Sequence, residues 1–339
     1  MTASRGADPV VKRESEPERP GKAPSPPKAA TLTGLPIDWR SALAAATVAS
    51  IRGGNQVATK LALISFSPFW SAFGRMAISA CVVFAWSRAR GIALTLEPGE
   101  SRRLGLLSAV FAVQISLLHW GADLTSPAYA VVLINTNPIF ASAIAHFVVP
   151  GDRLSMQRIG GLAVSFSGLA LVFFGRPDMP SANDPLLGNA LIVGSALLLS
   201  ARTVYIQRVV QTMDPSKAVL WQMIISLPLF AAGAMLVPDV HERAAADWRP
   251  WAALAYQGIV VGGAGLVAWV HLLRRHSPGS LSVFSFVTPL AGVLLSAWIF
   301  NEALTPRLFL GLASVSVGVL LTTRSTHRAG RPEATPGIT

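Results

Sequence analysis

Apolar runs of close to 20 residues alternate with short polar connections through most of the chain. A helix of about 20 apolar residues covers the ~30 Å hydrocarbon core of a bilayer, so each run predicts a membrane-spanning helix. The fold class predicted from this pattern is an all-α membrane protein. We predict ten spanning helices, at 41–63, 68–87, 104–123, 127–149, 156–174, 187–207, 216–237, 250–271, 279–300 and 306–323.

Polar segments bound and divide these helices. Residues 1–36 are charged and rich in proline, which predicts a disordered cytoplasmic tail, and they lack the continuous apolar core of a signal peptide. The loop 176–186 separates a first set of five helices, at 37–175, from a second set at 187–324. Residues 325–339 form a second polar tail, which we also expect to be cytoplasmic.

The two sets of helices repeat one another. The segment SPAYAVVLINTNPIF, which begins at Ser126, reappears as SPGSLSVFSFVTPLA from Ser277, and Pro138 matches Pro289 in register. Because each set holds an odd number of helices, the second set must enter the membrane upside down relative to the first. The sequence therefore predicts two inverted five-helix repeats, an arrangement that gives two states of similar energy with opposite openings.

Lysine and arginine predict the orientation. If the N-terminus is cytoplasmic, 20 of these residues fall on the inner side and 4 on the other side. Positively charged connections stay in the cytoplasm, so we expect both termini there. The predicted location is the cell inner membrane, with many passes.

Composition excludes several classes of protein. With 52% hydrophobic and 13% charged residues, the chain cannot hide its apolar surface in an ordinary soluble fold. The net charge of +11 comes from connections and tails, which argues against nucleic acid as a partner. The single Cys81 allows no disulfide framework and no thiolate metal site, and we expect neither a cofactor nor a metal. The expected partners are a small-molecule solute and the lipid bilayer, and a homodimer is left open.

Several motifs together resemble a known family. The text GGNQVATKLALISFSPFWSAFGRMAISA is followed by the paired segments SP...NP...GDRLS...GG and SP...TP...NEALT...G. Over roughly Trp39 to Thr323 the chain resembles the EamA family of the drug/metabolite transporter superfamily. This resemblance implies a ten-helix bundle with a central cavity and, often, metabolite export. It names no solute, because members carry amino acids, sugars, other metabolites or drugs.

Two prolines mark a candidate solute site. Pro138 and Pro289 each lie eleven residues past the proline that starts their helix, or about 16 Å along it, near the middle of the bilayer. Proline has no N–H to donate, so the carbonyl groups of Ile134 and Ser285 lose their usual partners. Matching breaks at mid-membrane predict a binding site between the repeats. Kinks that serve only helix packing are the alternative interpretation.

Side chains near these breaks can add donors and acceptors. Trp120 has a second interpretation, as a member of the interfacial aromatic belt. The predicted substrate-binding residues are Asn55, Arg75, Gln114, Trp120, Asn135, Asn137, Pro138, Tyr205, Ser285, Thr288 and Pro289.

The charges deep inside the predicted helices are all positive: Arg52, Lys60, Arg75 and Arg202. The carboxylates Asp123, Asp152 and Glu302 lie at helix ends. The resemblance places Lys60 and Arg75 where the family commonly has basic residues. A solute carboxylate, such as that of an amino acid, can supply the counter-charge that a cation needs in lipid. For Lys60 and Arg202 we favour snorkelling, in which the long side chain reaches the interface. Both interpretations stay open for Arg75, and Arg52 is either a solute contact or a packing charge.

We therefore predict an integral membrane transporter and not an enzyme. We expect it to export a small anionic or zwitterionic metabolite by alternating access. Without a carboxylate deep in the helices, a facilitator or exchanger is favoured over a proton pump. His119 is the remaining titratable candidate, although packing also explains it. An intramembrane enzyme is disfavoured because the six histidines are dispersed and no HExxH motif is present. A non-transporting scaffold has no use for matched breaks.

Overall fold

The computed structural model describes residues 38–148, 156–177, 182–237, 239, 247–265, 268, 272 and 283–329. Within these residues every regular element is a helix. The α-helices are α1 (Trp39–Leu63), α2 (Pro68–Ala89), α3 (Glu100–Leu124), α4 (Pro127–Ile134), α5 (Asn137–Val148), α6 (Met156–Phe173), α7 (Pro185–Val209), α8 (Pro215–Leu236), α9 (Trp248–Ala255), α10 (Val287–Phe300) and α11 (Pro306–Ala329). A π-helix (Tyr256–Ala264) continues α9, and a 3₁₀ turn (Val283–Phe286) precedes α10.

Four of these helices begin with the same local device. Ser67, Ser126, Asp184 and Asp214 each accept a hydrogen bond from a backbone N–H of the following turn, and a proline stands next in each case. The polar side chain satisfies a free N–H, while the proline occupies a position whose N–H would have no partner. These dipeptides explain why the predicted starts agree with the structure to within two residues.

Many described helices suit a bilayer. Large apolar side chains such as Phe84, Leu106 and Trp298 are exposed on the outside of the bundle, which water does not favour. Among the described residues, the helical segments long and apolar enough to cross a membrane are Pro68–Ala89, Glu100–Leu124, Pro127–Ile144, Pro185–Val209 and Pro215–Leu236. The segment Pro127–Ile144 contains α4 and the first part of α5. Shorter apolar helices are Ile159–Phe173, Val287–Phe300 and Pro306–Leu321.

The first predicted break is confirmed. Helix α4 ends at Ile134 and α5 begins at Asn137, with Pro138 as its second residue. The Asn135 amide donates to the Val131 carbonyl at 2.7 Å, and the Thr136 hydroxyl lies 2.6 Å from the Leu133 carbonyl oxygen. Side chains at the break therefore add a second donor to carbonyl groups that also accept backbone N–H groups there.

The second break takes another form. The backbone changes from a 3₁₀ turn to α-helix at Val287, so Pro289 lies in the first turn of α10. The predicted start of this helix, at 279–282, falls outside the described residues. A proline alone does not dictate a break, because Pro228 lies inside α8, which continues through it.

The sequence predicted a helix at 250–271, but it did not predict that part of this helix is a π-helix. Its glycines lie against α2: a Cβ atom on Gly258 would overlap Ile78, and one on Gly262 would overlap Ser79. Glycine permits this contact because it has no side chain. The wide turns bring the backbone of this segment directly against α2.

Helices α6 and α11 form a seam of small residues. A Cβ atom on Gly168 would lie 2.6 Å from the Ser314 Cβ atom, and one on Gly318 would overlap Ser165. The Ser165 hydroxyl also lies 3.4 Å from the Val315 carbonyl oxygen. The seam joins the last helix before the 176–186 loop to the last described helix of the chain.

The snorkelling interpretation was wrong for Lys60. Its Nζ atom donates to the carbonyl oxygens of Ala122, Asp123 and Thr125 at 3.1, 2.7 and 2.9 Å, and the side chain is only 5% exposed. The end of α3 leaves carbonyl groups without helical partners, and the ammonium group satisfies three of them. We call this end of the bundle, which holds Leu63 and Thr125, the distal end.

Snorkelling was also wrong for Arg202. Its guanidinium group donates to Gln222 at 3.2 Å, and its central carbon lies 4.9 Å from the centre of the Phe111 ring. These contacts hold the charge between α3, α7 and α8. A cation over an aromatic ring is attracted more strongly where water is scarce. This attraction explains why the Arg202 side chain stays inside the bundle instead of reaching the interface.

Candidate functional site

Buried polar atoms without a hydrogen-bond partner lie on α1, α2, α3 and the π-helix. They include Asn55 Oδ1, Gln56 Oε1, Arg75 Nε and Nη1, Gln114 Oε1, His119 Nε2 and Gln257 Nε2. A buried polar group without a partner is costly unless water or a ligand meets it. These residues and Thr59 are called the polar cluster.

Thr59 links α1 to the π-helix within the polar cluster. Its hydroxyl oxygen lies 2.9 Å from the Asn55 carbonyl oxygen and 3.1 Å from Gln257 Oε1. A hydroxyl has one hydrogen, which can serve one of these acceptors at a time. When the hydroxyl donates to the Asn55 carbonyl of the helix, Gln257 Oε1 is available to a ligand.

The π-helix in turn lies against the part of α2 that carries Arg75. The Ser79 hydroxyl, one turn from Arg75, lies 3.3 Å from the Gly258 carbonyl oxygen. A Cβ atom on Gly258 would lie 3.3 Å from the Arg75 carbonyl oxygen. The backbone of α2 at Arg75 therefore lies against the π-helix near Gln257. No carboxylate in the described residues forms an ion pair with Arg75.

Two residues of α3 complete the polar cluster. His119 lies close enough to Arg75 for their charges to interact, and its Nδ1 atom is 3.0 Å from the Ile115 carbonyl oxygen. A carbonyl only accepts, so Nδ1 carries the hydrogen and Nε2 of the neutral ring is an acceptor. The side-chain amide of Gln114 donates to the Ser195 hydroxyl at 3.0 Å. That hydroxyl donates to the backbone carbonyl oxygen of Gln114 at 2.8 Å. The Gln114 side-chain oxygen is left as a second acceptor.

The unpaired atoms form two chemically distinct sets. The donors belong to Arg75, which is cationic, and to the Gln257 amide. The acceptors are neutral oxygens and one imidazole nitrogen. A guanidinium group binds a carboxylate with two parallel hydrogen bonds, and neutral acceptors suit an ammonium, amide or hydroxyl group. Arg75 and His119, which lie close together, can therefore meet both kinds of group.

The predicted residues at the two breaks contact the neighbouring helices. The Asn137 carbonyl accepts a hydrogen bond of 2.7 Å from Ser200 of α7. Pro138 is half-buried and Pro289 is buried. The Thr288 carbonyl lies directly against Gly53 of α1, where any Cβ atom would overlap it. The breaks are thus packed on α7 and α1 rather than left open to lipid.

Of the predicted site residues away from the breaks, two are not brought to the polar cluster. Trp120 is 40% exposed. Tyr205 packs at the opposite end of the bundle, against an apolar group that includes Leu104 and Val209. The side chain of Ser285 lies outside the described residues. Asn55, Arg75 and Gln114 are the predicted residues that belong to the polar cluster.

Sequence reasoning did not single out Gln56, Thr59 and Gln257 as site residues. The available signal was polarity alone, since Gln257 interrupts the apolar run WAALAYQGIVV. The contact between Thr59 and Gln257 joins positions 198 residues apart. Nothing in either segment by itself specifies that pairing.

A separate groove of about 560 Å³ lies between the first half of α1 and the π-helix. Apolar residues dominate its lining, among them Leu43, Ile51 and Val260. It contains no member of the polar cluster. It therefore does not suit a charged solute.

Comparison with known proteins agrees with this architecture. The model of the EamA-like transporter family matches residues 39–174 and, a second time, residues 186–324. An uncharacterized transporter of Archaeoglobus fulgidus is 23% identical over 288 residues, which cover 82% of this chain and 95% of that protein. A probable terminal-alkyne amino-acid exporter of Streptantibioticus cattleyicolor is 27% identical and covers 65% of this chain and 72% of its own.

Two further similarities complete the comparison. A probable 4-amino-4-deoxy-L-arabinose-phosphoundecaprenol flippase subunit of Serratia proteamaculans is 30% identical over 111 residues, covering 29% of this chain and 90% of its own. One solved crystal structure, 18% identical in sequence, superposes with a TM-score of 0.59 and covers 86% of this chain and 99% of its own. At that identity the superposition shows a shared fold alone.

Apolar helices with exposed outer faces, arranged around unpaired polar groups, define a multi-pass membrane transporter. The two matches of the family model cover most of the chain, and the protein belongs to the EamA-like transporter family. The resemblance found in the sequence motifs is confirmed.

Proposed function

We propose that this protein carries a small zwitterionic or anionic metabolite of the amino-acid class across the cell inner membrane, with export as the net direction. The observation that supports this proposal is Arg75, whose buried Nε and Nη1 donors have no partner and lie beside His119. A cation in such a place is stabilised when an anionic group of a solute arrives. The solute carboxylate then binds the guanidinium group in a bidentate manner.

The unpaired acceptors favour a zwitterion over a simple anion. His119, close to Arg75, offers one such acceptor, Asn55 and Gln114 offer others, and a solute ammonium group provides three donors. An organic cation without a carboxylate would meet only repulsion from Arg75. The name of the relative from Streptantibioticus, an amino-acid exporter, is in keeping with this class of solute.

The route across the membrane is alternating access between two inverted five-helix repeats. The double match of the family model, at 39–174 and 186–324, supports two repeats. Repeats of five helices place the second upside down relative to the first, and both termini then face the cytoplasm. Exchange of conformations between the repeats gives inward-open and outward-open states.

The direct test is solute flux in proteoliposomes that contain the purified protein. A panel of radiolabelled amino acids and their des-amino acids identifies the solute and separates zwitterions from anions. Arg75→Ala should raise KM for the transported solute by about 10- to 100-fold, the equivalent of one lost charge-assisted pair. Arg88→Ala is the matched control, because Arg88 lies at the exposed end of the same helix, and it should leave KM unchanged.

The panel also tests the rival functions. If well-folded protein gives no solute-dependent flux with any amino acid or organic acid, the proposal fails and a non-transporting scaffold becomes the better interpretation. Flux of organic cations that does not depend on Arg75 would likewise contradict the proposed solute class.

A further inference from the structure

Glu302 occupies a buried position that helix periodicity did not reveal. It follows α10, and the residue between them, Asn301, has a positive φ of 51°. Asparagine tolerates this left-handed conformation better than most residues do. The turn directs Glu302 into the bundle, where the residue is only 4% exposed.

The Glu302 carboxylate binds the start of α4. The Ser126 hydroxyl donates to Oε1, and the Ala128 N–H lies 3.4 Å from Oε2. The Ser296 hydroxyl of α10 donates to Oε2 at 2.6 Å. Ser126 belongs to the first family match and Glu302 to the second, so these hydrogen bonds join the two halves at the distal end. We call this group of contacts the distal latch.

No cation neutralises Glu302 within the described residues. The nearby Arg307 uses its Nε atom on the Leu171 carbonyl oxygen, at 2.8 Å. The carboxylate is instead held by hydroxyl and N–H donors at the positive end of the α4 dipole. A buried charge held in this way is stable only while all its donors are in place, and once they separate it needs water. The distal latch therefore favours two arrangements. In one, the latch is closed and Glu302 is dry; in the other, the latch is open and Glu302 is hydrated.

Helix α4 connects the distal latch to the first break. It contains eight residues, about 12 Å of helix, and from Pro127 to Leu133 it is buried throughout. Its far end is the break at Asn135 and Thr136, which is followed by the contact of Asn137 with α7. A short, fully packed helix moves as one body, so movement at Ser126 displaces the break.

We propose that Glu302 is a positioning residue of the transport cycle, which holds the distal end closed through Ser126, Ala128 and Ser296 and opens it when these hydrogen bonds break. The inference rests on the proposed alternating access, and it adds the residue that couples distal closure to the break. Glu302 does not touch the solute in this account. It acts through the position of α4.

The test measures access to the break from each side of the membrane. In a Cys81→Ser background, Asn137→Cys provides a single thiol at the break, and a charged, membrane-impermeant maleimide is added to one face of sealed vesicles. Glu302→Gln replaces one acceptor oxygen by an NH₂ group that faces a donor. We expect it to raise labelling from the distal face at least about tenfold, because a hydrogen bond to a charged group is worth that factor or more.

Labelling from the opposite face separates a latch from a merely loosened fold. A shift towards the distal-open state should lower that rate, whereas a loosened fold would raise both rates. Ser296→Ala, which removes one donor and keeps the charge, should give a smaller increase from the distal face and provides the test if Glu302→Gln fails to fold. Glu97→Gln, in an exposed connection, is the matched control and should change neither rate.

Failure of the latch can be told apart from failure of the proposed transport function, because the labelling experiment requires no solute. Unchanged labelling in Ser296→Ala and in folded Glu302→Gln overturns the latch, even if both variants carry amino acids. Opposite changes at the two faces support the latch, even if every amino acid in the panel proves not to be transported.

Discussion

At the scale of single residues, ionisable side chains in this protein bind backbone groups at helix ends. Lys60 binds three carbonyl oxygens at the end of α3, and Glu302 accepts from a backbone N–H at the start of α4. Each charge complements the dipole at its helix end, since a C-terminus attracts cations and an N-terminus attracts anions. These contacts explain how charges remain in an apolar bundle.

Lys60→Met should destabilise the protein while preserving the length and apolar stem of the side chain. Three buried carbonyl groups would lose a charged donor, which we expect to cost about 2 to 4 kcal/mol of unfolding free energy. Thermal unfolding in detergent measures the change. Arg102→Met, at an exposed position in the first turn of α3, should leave the transition in place. Equal transitions for both variants would show that the lysine contacts contribute little.

These residue contacts also mark the limit of prediction from sequence. The sequence placed Lys60 in a helix, but length and charge alone favoured a side chain that reaches the interface. Its actual partners lie 62 to 65 residues away, and those of Glu302 up to 176 residues away. Such pairings depend on how helices pack and rotate, which the period of apolar residues leaves open.

At the scale of elements, the apolar runs and their capping residues determine where helices begin and end, and this part was predicted. The interruption between α4 and α5 was predicted as well, from a proline at mid-membrane. The π-helix was missed because its sequence has the composition of an ordinary apolar helix with glycines. Its close contact with α2 is visible only in the folded bundle.

Pro138→Ala tests whether the α4–α5 break matters for transport. Alanine restores an N–H and favours helix, so α4 and α5 can join into one continuous helix. We expect turnover in proteoliposomes to fall by about tenfold or more, with little loss of thermal stability. Pro228→Ala is the control, because α8 is continuous despite its proline, and it should keep its turnover. If the Pro138→Ala variant keeps full turnover, the proline serves helix packing and not transport.

At the scale of the whole molecule, the polar cluster draws on the first three helices and the π-helix, while the two breaks pack on α7 and α1. Residues from both family matches thus line the interior. The sequence predicted the repeats and three members of the cluster. It did not predict which helices would meet, because lipid-facing and inward-facing surfaces of these helices are both apolar.

With the proposed ten crossings, both chain ends lie on the same side of the membrane. Tags at the two termini should therefore show the same accessibility to protease in sealed inner-membrane vesicles, and the excess of basic residues predicts the cytoplasmic side. A tag in the 176–186 loop should show the opposite accessibility. Termini found on opposite faces would exclude two five-helix repeats.

The α6–α11 seam has a consequence for how the chain is held together. Its glycines and serines bring two backbones together without help from the peptide connection, so two separate short polypeptides could associate through the same surface. The connection in a single chain fixes the pairing of these two helices and their one-to-one ratio.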